Sequence, residues 1–221
     1  MNTPALDRRT NRPRPKRLRQ HTNPLAFQGA TARPDWNALL GGQPQELEIG
    51  FGLGELLLAR AQMRPGVRMV GVDVRWAYVE RVREELARRD TPLPHLYFVH
   101  AEGKLALEQW LDPASLDTAV VYFPDPWFKK RHHKRRIINP TVAALLARAL
   151  KPGGMLHVAT DQEMLAHSMM EVLTATPGLH NTMGVNRFAP YGILGAQSGR
   201  EEEHIRRGQH IWRLTFTRPR A

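Results

Sequence analysis

A carboxylate, a tryptophan and eight consecutive basic residues lie within fourteen positions of this chain. Residues 123–136 read F-P-D-P-W-F-K-K-R-H-H-K-R-R, with Asp125 between two prolines and Trp127 directly after them. Lys and Arg side chains bind phosphates, and an aromatic ring can stack on an unpaired base. This combination predicts a binding site for an anionic polymer that offers a flat base to the carboxylate.

The residues before this segment place it at the edge of a sheet. Thr118–Tyr122 is a short apolar run that predicts a buried strand, and Pro124 and Pro126 end it. Ligands of open α/β sheets bind at the carboxyl ends of the strands. An ordinary turn followed by a solvated charged face is the alternative interpretation. It is disfavoured because such faces mix charges, whereas residues 129–136 contain no acidic residue.

A glycine-rich turn follows an earlier predicted strand. Residues 48–55 read E-I-G-F-G-L-G-E, and glycines at such a turn let the backbone approach a ligand closely. A dinucleotide-binding turn has Gly or Ala where this chain has Glu55, and a carboxylate there would repel a pyrophosphate. S-adenosylmethionine has no phosphate and carries an ammonium and a sulfonium, so we predict that Glu48, Gly50 and Gly52 bind it. A purely structural turn between strand and helix is the alternative.

Two more carboxylates follow the next predicted strands. Asp73 ends the strand Arg68–Val74, where a carboxylate can accept hydrogen bonds from both ribose hydroxyls of a nucleoside. A cap for the helix that begins near Trp76 is the alternative role. Glu102 lies just past the strand Leu96–His100 and is predicted to meet the adenine amino group. Asp73 suits the ribose of a dinucleotide as well as that of S-adenosylmethionine and does not by itself distinguish them. Together with the glycine-rich turn, both carboxylates are predicted to bind S-adenosylmethionine.

Strands and helices alternate regularly from residue 45 onward. Such alternation implies parallel strands joined by right-handed crossovers, with helices on both faces of the sheet. Strand-like residues near 181–185 and 211–217 predict antiparallel strands at one edge. The sequence thus predicts a doubly wound, mostly parallel α/β sheet with an antiparallel C-terminal edge. The predicted strands are Glu46–Gly50, Arg68–Val74, Leu96–His100, Thr118–Tyr122 and Met155–Thr160, and the predicted helices are Glu55–Met63, Trp76–Arg89, Leu105–Leu111, Pro140–Leu150 and Met164–Leu173.

Positive charge is concentrated in two segments. The formal net charge is +11; residues 1–20 hold seven Arg or Lys and one Asp, and residues 129–136 hold six Arg or Lys, so the remainder is nearly neutral. Two basic patches predict a nucleic acid partner whose binding weakens as salt rises. Residues 1–22 are rich in Arg and Pro and poor in apolar residues, which predicts a disordered basic arm. A single folded domain is predicted over residues 23–221.

Composition argues against several other classes of protein. No stretch approaches the roughly 18 apolar residues of a membrane span, and residues 1–20 contain no h-region of a signal peptide. The absence of cysteine removes disulfides and thiolate metal sites and fits a reducing cytoplasm. The ten histidines show no spacing with acidic residues that suggests a metal. We expect a cytoplasmic monomer or homodimer that uses neither a membrane nor a metal.

Two of these motifs resemble those of known enzymes. The segment at 123–136 resembles the signature of tRNA (guanine-N7-)-methyltransferases, a P-D-P-W core followed by K-K-R-H-x-K-R-R. The E-x-G-x-G-x-G turn resembles the first motif of S-adenosylmethionine-dependent methyltransferases. The resemblance covers about residues 45–216 and implies a Rossmann-like methyltransferase fold. It also implies methyl transfer from S-adenosylmethionine to N7 of a guanosine in the variable loop of tRNA.

The same resemblance implies substrate contacts near the end of the chain. Asp161 matches the second residue of the family's T-D pair and would contact the substrate guanosine, although a helix N-cap is equally compatible. Residues 198–201 occupy the place of a T-x-[FY]-E segment, so Ser198 and Glu201 are candidate substrate residues, while Arg200 replaces the aromatic. A solvated acidic run is the alternative for Glu201. Lys129, the cation nearest to the P-D-P-W core, is also predicted to bind substrate.

Methylation of guanine N7 needs positioning more than proton transfer. N7 carries a free lone pair on the major-groove edge, so no base has to remove a proton from it. Asp125 can accept hydrogen bonds from the N1 and N2 donors of guanine and stabilise the positive charge that develops. We predict Asp125 as the catalytic residue, also in contact with the cofactor. Two other classes stay open: a non-catalytic nucleic-acid-binding α/β protein and a nicotinamide-dependent oxidoreductase, which Glu55 disfavours.

Overall fold

The computed structural model of the chain describes most residues from 31 onward and a few before them. The described residues are 31–192 and 194–220, with Pro24, Phe27, Gly29 and the pairs Leu6–Asp7 and Arg12–Pro13. These two pairs form short antiparallel strands, β1 (Leu6–Asp7) and β2 (Arg12–Pro13). The rest of the arm predicted over residues 1–22 lies outside the described residues, so its disorder stays a prediction.

A seven-stranded sheet organises the chain from residue 46 to residue 217. The five strands from β3 to β7 run parallel to one another, whereas β9 runs antiparallel to both β7 and β8. This arrangement confirms the predicted mostly parallel sheet with an antiparallel C-terminal edge. The strands are β3 (Glu46–Ile49), β4 (Met69–Asp73), β5 (Leu96–His100), β6 (Leu116–Tyr122), β7 (Leu150–Thr160), β8 (His180–Asn181) and β9 (Trp212–Thr217).

The order of the strands creates a switch point at the centre of the sheet. Across the sheet the order is β5-β4-β3-β6-β7-β9-β8, so the chain moves outward from β3 to β5 and then returns to the other side of β3. The loops that follow β3 and β6 therefore leave the same edge in opposite directions. A crevice opens at such a point, and it is where α/β sheets of this kind bind ligands.

Helices cover both faces of this sheet. Most helices match the predicted positions, but the predicted helix Leu105–Leu111 is a short α turn followed by a π-helix at Ala106–Trp110. Two short helices, at residues 36–40 and 199–206, were not predicted. The helices are α1 (Trp36–Leu40), α2 (Glu55–Met63), α3 (Trp76–Ala87), α4 (Gly103–Leu105), α5 (Pro140–Ala149), α6 (Glu163–Thr174) and α7 (Gly199–Arg206), with a 3-10 helix at Lys130–Arg135.

The apolar core is divided by the sheet into two main layers. Successive residues of a strand point to opposite faces, so Val70 packs with the layer that includes α5 and α6, and Met69 packs with the layer that includes α2 and α3. Gly71 lies on the same face of β4 as Met69, close to two aromatic rings. A Cβ there would sit 2.7 Å from the Phe98 ring and 2.9 Å from the Phe51 ring. This glycine lets the aromatic pair pack directly on β4 and support the glycine-rich turn.

Candidate active site

A cavity of about 690 Å³ lies at the carboxyl ends of the central strands. Residues that follow β3, β4, β5, β6 and β7 all contribute to its walls, as the switch point of the sheet predicts. Four of the predicted site residues line it: Gly50, Asp73, Glu102 and Asp125. The topology therefore brings together the predicted cofactor-binding carboxylates and the carboxylate of the P-D-P-W segment, which are far apart in sequence.

The glycine-rich turn after β3 depends on left-handed backbone conformations. Gly50, Gly52 and Gly54 have φ angles of 80°, 57° and 72°, a region that favours glycine over residues with a Cβ. The backbone N–H of Gly52 donates a hydrogen bond of 3.1 Å to Oδ2 of Asp73. Gly50 lines the cavity, whereas Gly52 is not on its wall and acts here by orienting the Asp73 carboxylate.

Asp73 is buried and its carboxylate is closely held. Its Oδ1 accepts from the backbone N–H of Arg75 at 2.9 Å and from Nε of the same residue at 3.1 Å, and Oδ2 accepts from Nη2 at 3.2 Å. The Arg75 guanidinium also lies 4.2 Å from the Tyr78 ring centroid. Burial lowers the pKa of Arg75, but its hydrogen bond to Asp73 and the charges of Asp73 and Asp125 raise it overall. Arg75 is thus a charged neighbour of both carboxylates.

Glu48 is a buried carboxyl group at the end of β3. Its Oε2 has no hydrogen-bond partner among the described residues, and the side chain is not on the cavity wall. Burial and the nearby charge of Asp73 raise the pKa of Glu48 to about 8. At neutral pH this group is therefore largely protonated while the site is empty of positive ligands. A cation bound near it would favour the carboxylate form.

Glu102 lines the cavity and also caps a helix. Its Oε1 accepts from the backbone N–H of Lys104 at 3.0 Å and its Oε2 accepts from that of Leu105 at 2.9 Å. These bonds fix the carboxylate at the start of α4, where the helix dipole favours negative charge. An ionised carboxylate has about four acceptor positions, so both oxygens keep a lone pair for a ligand.

The loop after β6 that carries Asp125 has a strained backbone at two other positions and is well supported. Phe123 and Trp127 have φ angles of 49° and 45°, which are uncommon for residues other than glycine. The guanidinium of Arg136 supports the loop from below, donating to the Pro126 carbonyl at 3.0 Å and to Oγ of Ser168 at 3.1 Å. Arg136 is buried, so it braces this loop from within the fold. Strain of this kind is common where a site needs fixed geometry.

Trp127 packs against the basic segment. The guanidinium carbon of Arg135 lies 5.0 Å from the Trp127 ring centroid, and His132 meets the same ring edge-on at 5.8 Å. These contacts hold Trp127 against the basic segment, while the same side chain also lines the cavity. Lys129, the predicted substrate contact, precedes the 3-10 helix and is exposed, outside the cavity wall. Together these residues form a cationic surface at the mouth of the cavity.

The predicted substrate residues Asp161, Ser198 and Glu201 do not line the cavity. Their side chains instead form hydrogen bonds with residues of α7 and β9. Both oxygens of Asp161 accept from Nη2 of Arg200 at 3.1 Å. Ser198 is the N-cap of α7 and accepts from the Glu201 backbone N–H at 3.2 Å. Glu201 is 1% exposed and pairs with Arg213, accepting from Nε at 2.9 Å and Nη2 at 2.6 Å. A solvated acidic run is therefore the wrong interpretation of Glu201, while the substrate roles stay predictions.

Several cavity residues were not identified from sequence. Arg75 and Tyr78 belong to the start of α3, Phe128 precedes the basic segment, and Gln162 and Arg200 come from the C-terminal part of the chain. Arg75 lies two positions after Asp73, so the strand end alone could have suggested it. No sequence signal marks Tyr78 or Gln162.

The described residues contain neither a candidate metal site nor a helix that could span a membrane. In that part of the chain no group of three or more His, Cys, Asp or Glu side chains could hold a metal ion. Among the same residues no helix combines the length and the apolar character that crossing a bilayer requires.

Comparison with known proteins places the chain in a family. A family model described as "Putative methyltransferase" matches residues 42–214. A tRNA (guanine-N(7)-)-methyltransferase of Burkholderia ambifaria is 41% identical over 184 residues, covering 83% of this chain and 71% of the relative. One from Burkholderia mallei is 38% identical over 192 residues, covering 86% of this chain and 71% of the relative. The chain belongs to the tRNA (guanine-N(7)-)-methyltransferase family. This confirms the resemblance drawn from the P-D-P-W segment and the glycine-rich turn.

Solved structures with low sequence identity share the fold of this chain. The antibiotic-resistance methyltransferase Kmr superposes with a TM-score of 0.58 at 19% identity, covering 85% of this chain and 92% of that chain. The 16S rRNA (adenine(1408)-N(1))-methyltransferase of Catenulisporales acidiphilia superposes with a TM-score of 0.55 at 18% identity, covering 88% and 97%. Both comparisons confirm the predicted Rossmann-like methyltransferase fold.

Proposed function

We propose that this chain transfers the methyl group of S-adenosylmethionine to N7 of a guanosine in the variable loop of tRNA. The cavity carries the proposal, because its walls combine Gly50, Asp73 and Glu102 from the ends of β3 to β5 with Asp125 from the end of β6. The cationic surface formed by the exposed residues of segment 129–135 begins at its mouth. The relatives bear the name of the same reaction.

The residues around the glycine-rich turn fit S-adenosylmethionine. Glu48 is buried behind the cavity wall, and its carboxyl group, whose ionised form a nearby cation would favour, suits a cationic ligand better than a pyrophosphate. We assign the ribose hydroxyls to Asp73 and the adenine amino group to Glu102, while Gly50 lets the backbone approach the donor and Gly52 holds the Asp73 carboxylate in place. These carboxylates would hold the donor through hydrogen bonds and through attraction to its positive charge.

Asp125 is proposed to position the guanine and to stabilise it as it becomes positively charged. The N7 lone pair takes the methyl group that bound S-adenosylmethionine supplies, and the electrons of the broken S–C bond stay on sulfur. The base then carries a positive charge, and its N1–H and N2–H groups become stronger donors. A carboxylate that accepts from them binds the transition state more tightly than the uncharged base. We also assign Asp125 a contact with the donor, because it shares the cavity wall with Asp73 and Glu102.

The substrate is proposed to bind across the cavity mouth. Lys129 and the exposed cations that follow it would contact phosphates, which orient the RNA without reading its sequence. Asp161 is proposed to contact the substrate nucleoside from the end of β7. Ser198 and Glu201 would serve the same site by fixing α7, through the N-cap and the buried pair with Arg213.

The cellular setting follows from the substrate. A tRNA-modifying enzyme meets its substrate in the cytoplasm, and a chain without cysteine suits a reducing compartment. We propose that the chain works there as a monomer or homodimer.

Nucleoside mass analysis of tRNA tests this proposal. Purified full-length protein is incubated with unmodified tRNA and S-adenosylmethionine, and a parallel incubation omits the methyl donor. We expect 7-methylguanosine only when the donor is present, together with a saturable site for labelled S-adenosylmethionine. Tight tRNA binding without a donor site or a methylated product would favour the non-catalytic alternative and reject the proposal.

A further inference from the structure

Arg200 is the one α7 side chain that reaches the cavity wall in the part of the chain that the structure describes. Its Nη2 donates to Oδ1 and Oδ2 of Asp161, each at 3.1 Å. The guanidinium carbon lies 5.2 Å from the ring centroid of Phe123, so the planar cation rests on an aromatic face. A guanidinium has five N–H donors, and Nη2 alone makes the hydrogen bonds described for this residue. Donors of Arg200 are therefore left to meet a ligand.

The helix that carries Arg200 is firmly anchored. Glu201 is buried and pairs with Arg213, and Ser198 caps the first turn. His204, one turn later, stacks on Phe123 with the ring centroids 5.6 Å apart and the planes 11° from parallel. Because α7 is held at both ends, Arg200 needs little reordering when a ligand arrives, which favours binding.

Asp161 balances the positive charge of Arg200 at the place where the target base would itself become positive. An isolated cation beside the target base would oppose methylation, because the base becomes positive. Asp161 neutralises Arg200, and although burial raises the pKa of Asp161, the charge of Arg200 outweighs it and holds this pKa below its usual range. The pair thus presents N–H donors with no net charge.

We propose that Arg200 donates a hydrogen bond to O6 of the target guanine and so makes the site specific for guanine over adenine. This inference rests on the proposed function. O6 lies beside N7 on the same edge of guanine, whereas adenine presents an amino group there. That amino group would face the N–H donors of Arg200 and leave both unpaired. N7 itself keeps its lone pair for the methyl group.

A combined change of enzyme and substrate tests this contact. Target guanosine is replaced by 6-thioguanosine, which keeps N1–H and the N2 amino group but has a poor acceptor at position 6. Methyl transfer is measured as kcat/KM for the wild type and for Arg200→Met, whose side chain can still pack on Phe123. The wild type should lose about tenfold on thio-substitution, as expected for one base-specific contact. Arg200→Met should be slower with guanosine and lose little more with 6-thioguanosine.

Controls separate this inference from other causes. Arg206 lies on the same helix, away from the cavity, with its side chain 70% exposed. The control variant Arg206→Met should therefore keep the full sensitivity to 6-thioguanosine. The affinity of Arg200→Met for S-adenosylmethionine should be unchanged, which also shows that the variant is folded. Equal losses in wild type and Arg200→Met would overturn the role of Arg200, and so would a wild type that methylates both substrates equally well. A wild type that forms no 7-methylguanosine would instead reject the proposed function.

Discussion

The guanidinium of Arg75 bonds both carboxylate oxygens of Asp73, from Nε to Oδ1 at 3.1 Å and from Nη2 to Oδ2 at 3.2 Å. Asp73 is the carboxylate assigned to the ribose of the methyl donor. In this structure Arg75 therefore uses acceptor positions that the ribose hydroxyls would need.

Replacing Arg75 should consequently strengthen donor binding. Arg75→Met removes the competing donors but keeps much of the apolar side chain against Tyr78. We expect the dissociation constant for S-adenosylmethionine to fall by roughly three- to tenfold, the scale of one ordinary hydrogen bond. Isothermal titration with purified protein measures it. Arg88→Met, at the other end of α3, should leave the constant unchanged; weaker binding in Arg75→Met would show that Arg75 contacts the donor itself.

Replacing Asp73 should have the opposite effect. Asp73→Asn removes the charge that strengthens hydrogen bonds to both ribose hydroxyls, and it also releases Arg75. We expect the dissociation constant for S-adenosylmethionine to rise about tenfold or more, because charge-assisted bonds are lost. The same titration reports the result. Unchanged affinity in Asp73→Asn would refute the assignment of the ribose to this residue.

The buried carboxyl group of Glu48 should make stability depend on pH. Burial and the charge of Asp73 raise the pKa of Glu48 to about 8 from 4.5, so the folded state holds a proton that the unfolded state has lost. Stability from this group is thus complete below pH 4.5 and is lost as pH rises toward 8. Buried His157, whose pKa is lowered to about 4 from 6.5 by burial and by Arg60, acts in the opposite direction below pH 6.5.

The clearest window for Glu48 is therefore between pH 6.5 and 8. The Tm of the wild type should fall across this window more steeply than that of Glu48→Gln, which has no proton to lose. Differential scanning calorimetry without ligand measures both proteins. Glu80→Gln, an exposed change on α3, should follow the wild type. Parallel curves for wild type and Glu48→Gln would show that Glu48 is ionised in the folded protein.

The two basic segments should contribute differently to tRNA methylation. Residues 1–22 carry charge but none of the proposed chemistry, so deleting them should weaken tRNA binding and reduce its salt dependence. Turnover at saturating tRNA should survive. Neutralising Lys129, Arg131 and Lys134 together should lower turnover as well as affinity, because that segment lies at the cavity mouth. Steady-state kinetics at several salt concentrations separate the effects; loss of turnover on deletion of the arm alone would reverse these roles.

The sequence was informative where a functional residue directly follows a recognisable strand. Gly50, Asp73, Glu102 and Asp125 each follow an apolar run with clear strand character, and the parallel topology brings such ends together. Strand type and order were therefore enough to predict that these side chains share one edge. The hydrogen bond from Gly52 to Asp73 was not predictable in this way, because it depends on the tertiary arrangement of the glycine-rich turn.

The sequence was least informative where charge is buried. Helix α7 contains one large apolar residue, Ile205, so its residues resemble a solvated segment. Its attachment comes from the pair between Glu201 and Arg213, which lie on different elements. Likewise nothing in a run of like charges distinguishes Arg136, which is buried and braces the P-D-P-W loop, from its exposed neighbours. Local patterns do not record ion pairs between distant residues.

The most direct test of the central claim is single-turnover methyl transfer by Asp125→Ala at saturating tRNA and S-adenosylmethionine. If Asp125 positions the guanine and stabilises its developing charge, the rate should fall about 100-fold or more while the donor dissociation constant changes only a few-fold. Asp112→Ala, an exposed carboxylate that pairs with Arg33, serves as the control and should keep the wild-type rate. An Asp125→Ala protein that forms 7-methylguanosine at the wild-type rate, or that loses donor binding in proportion to its rate, would contradict the account.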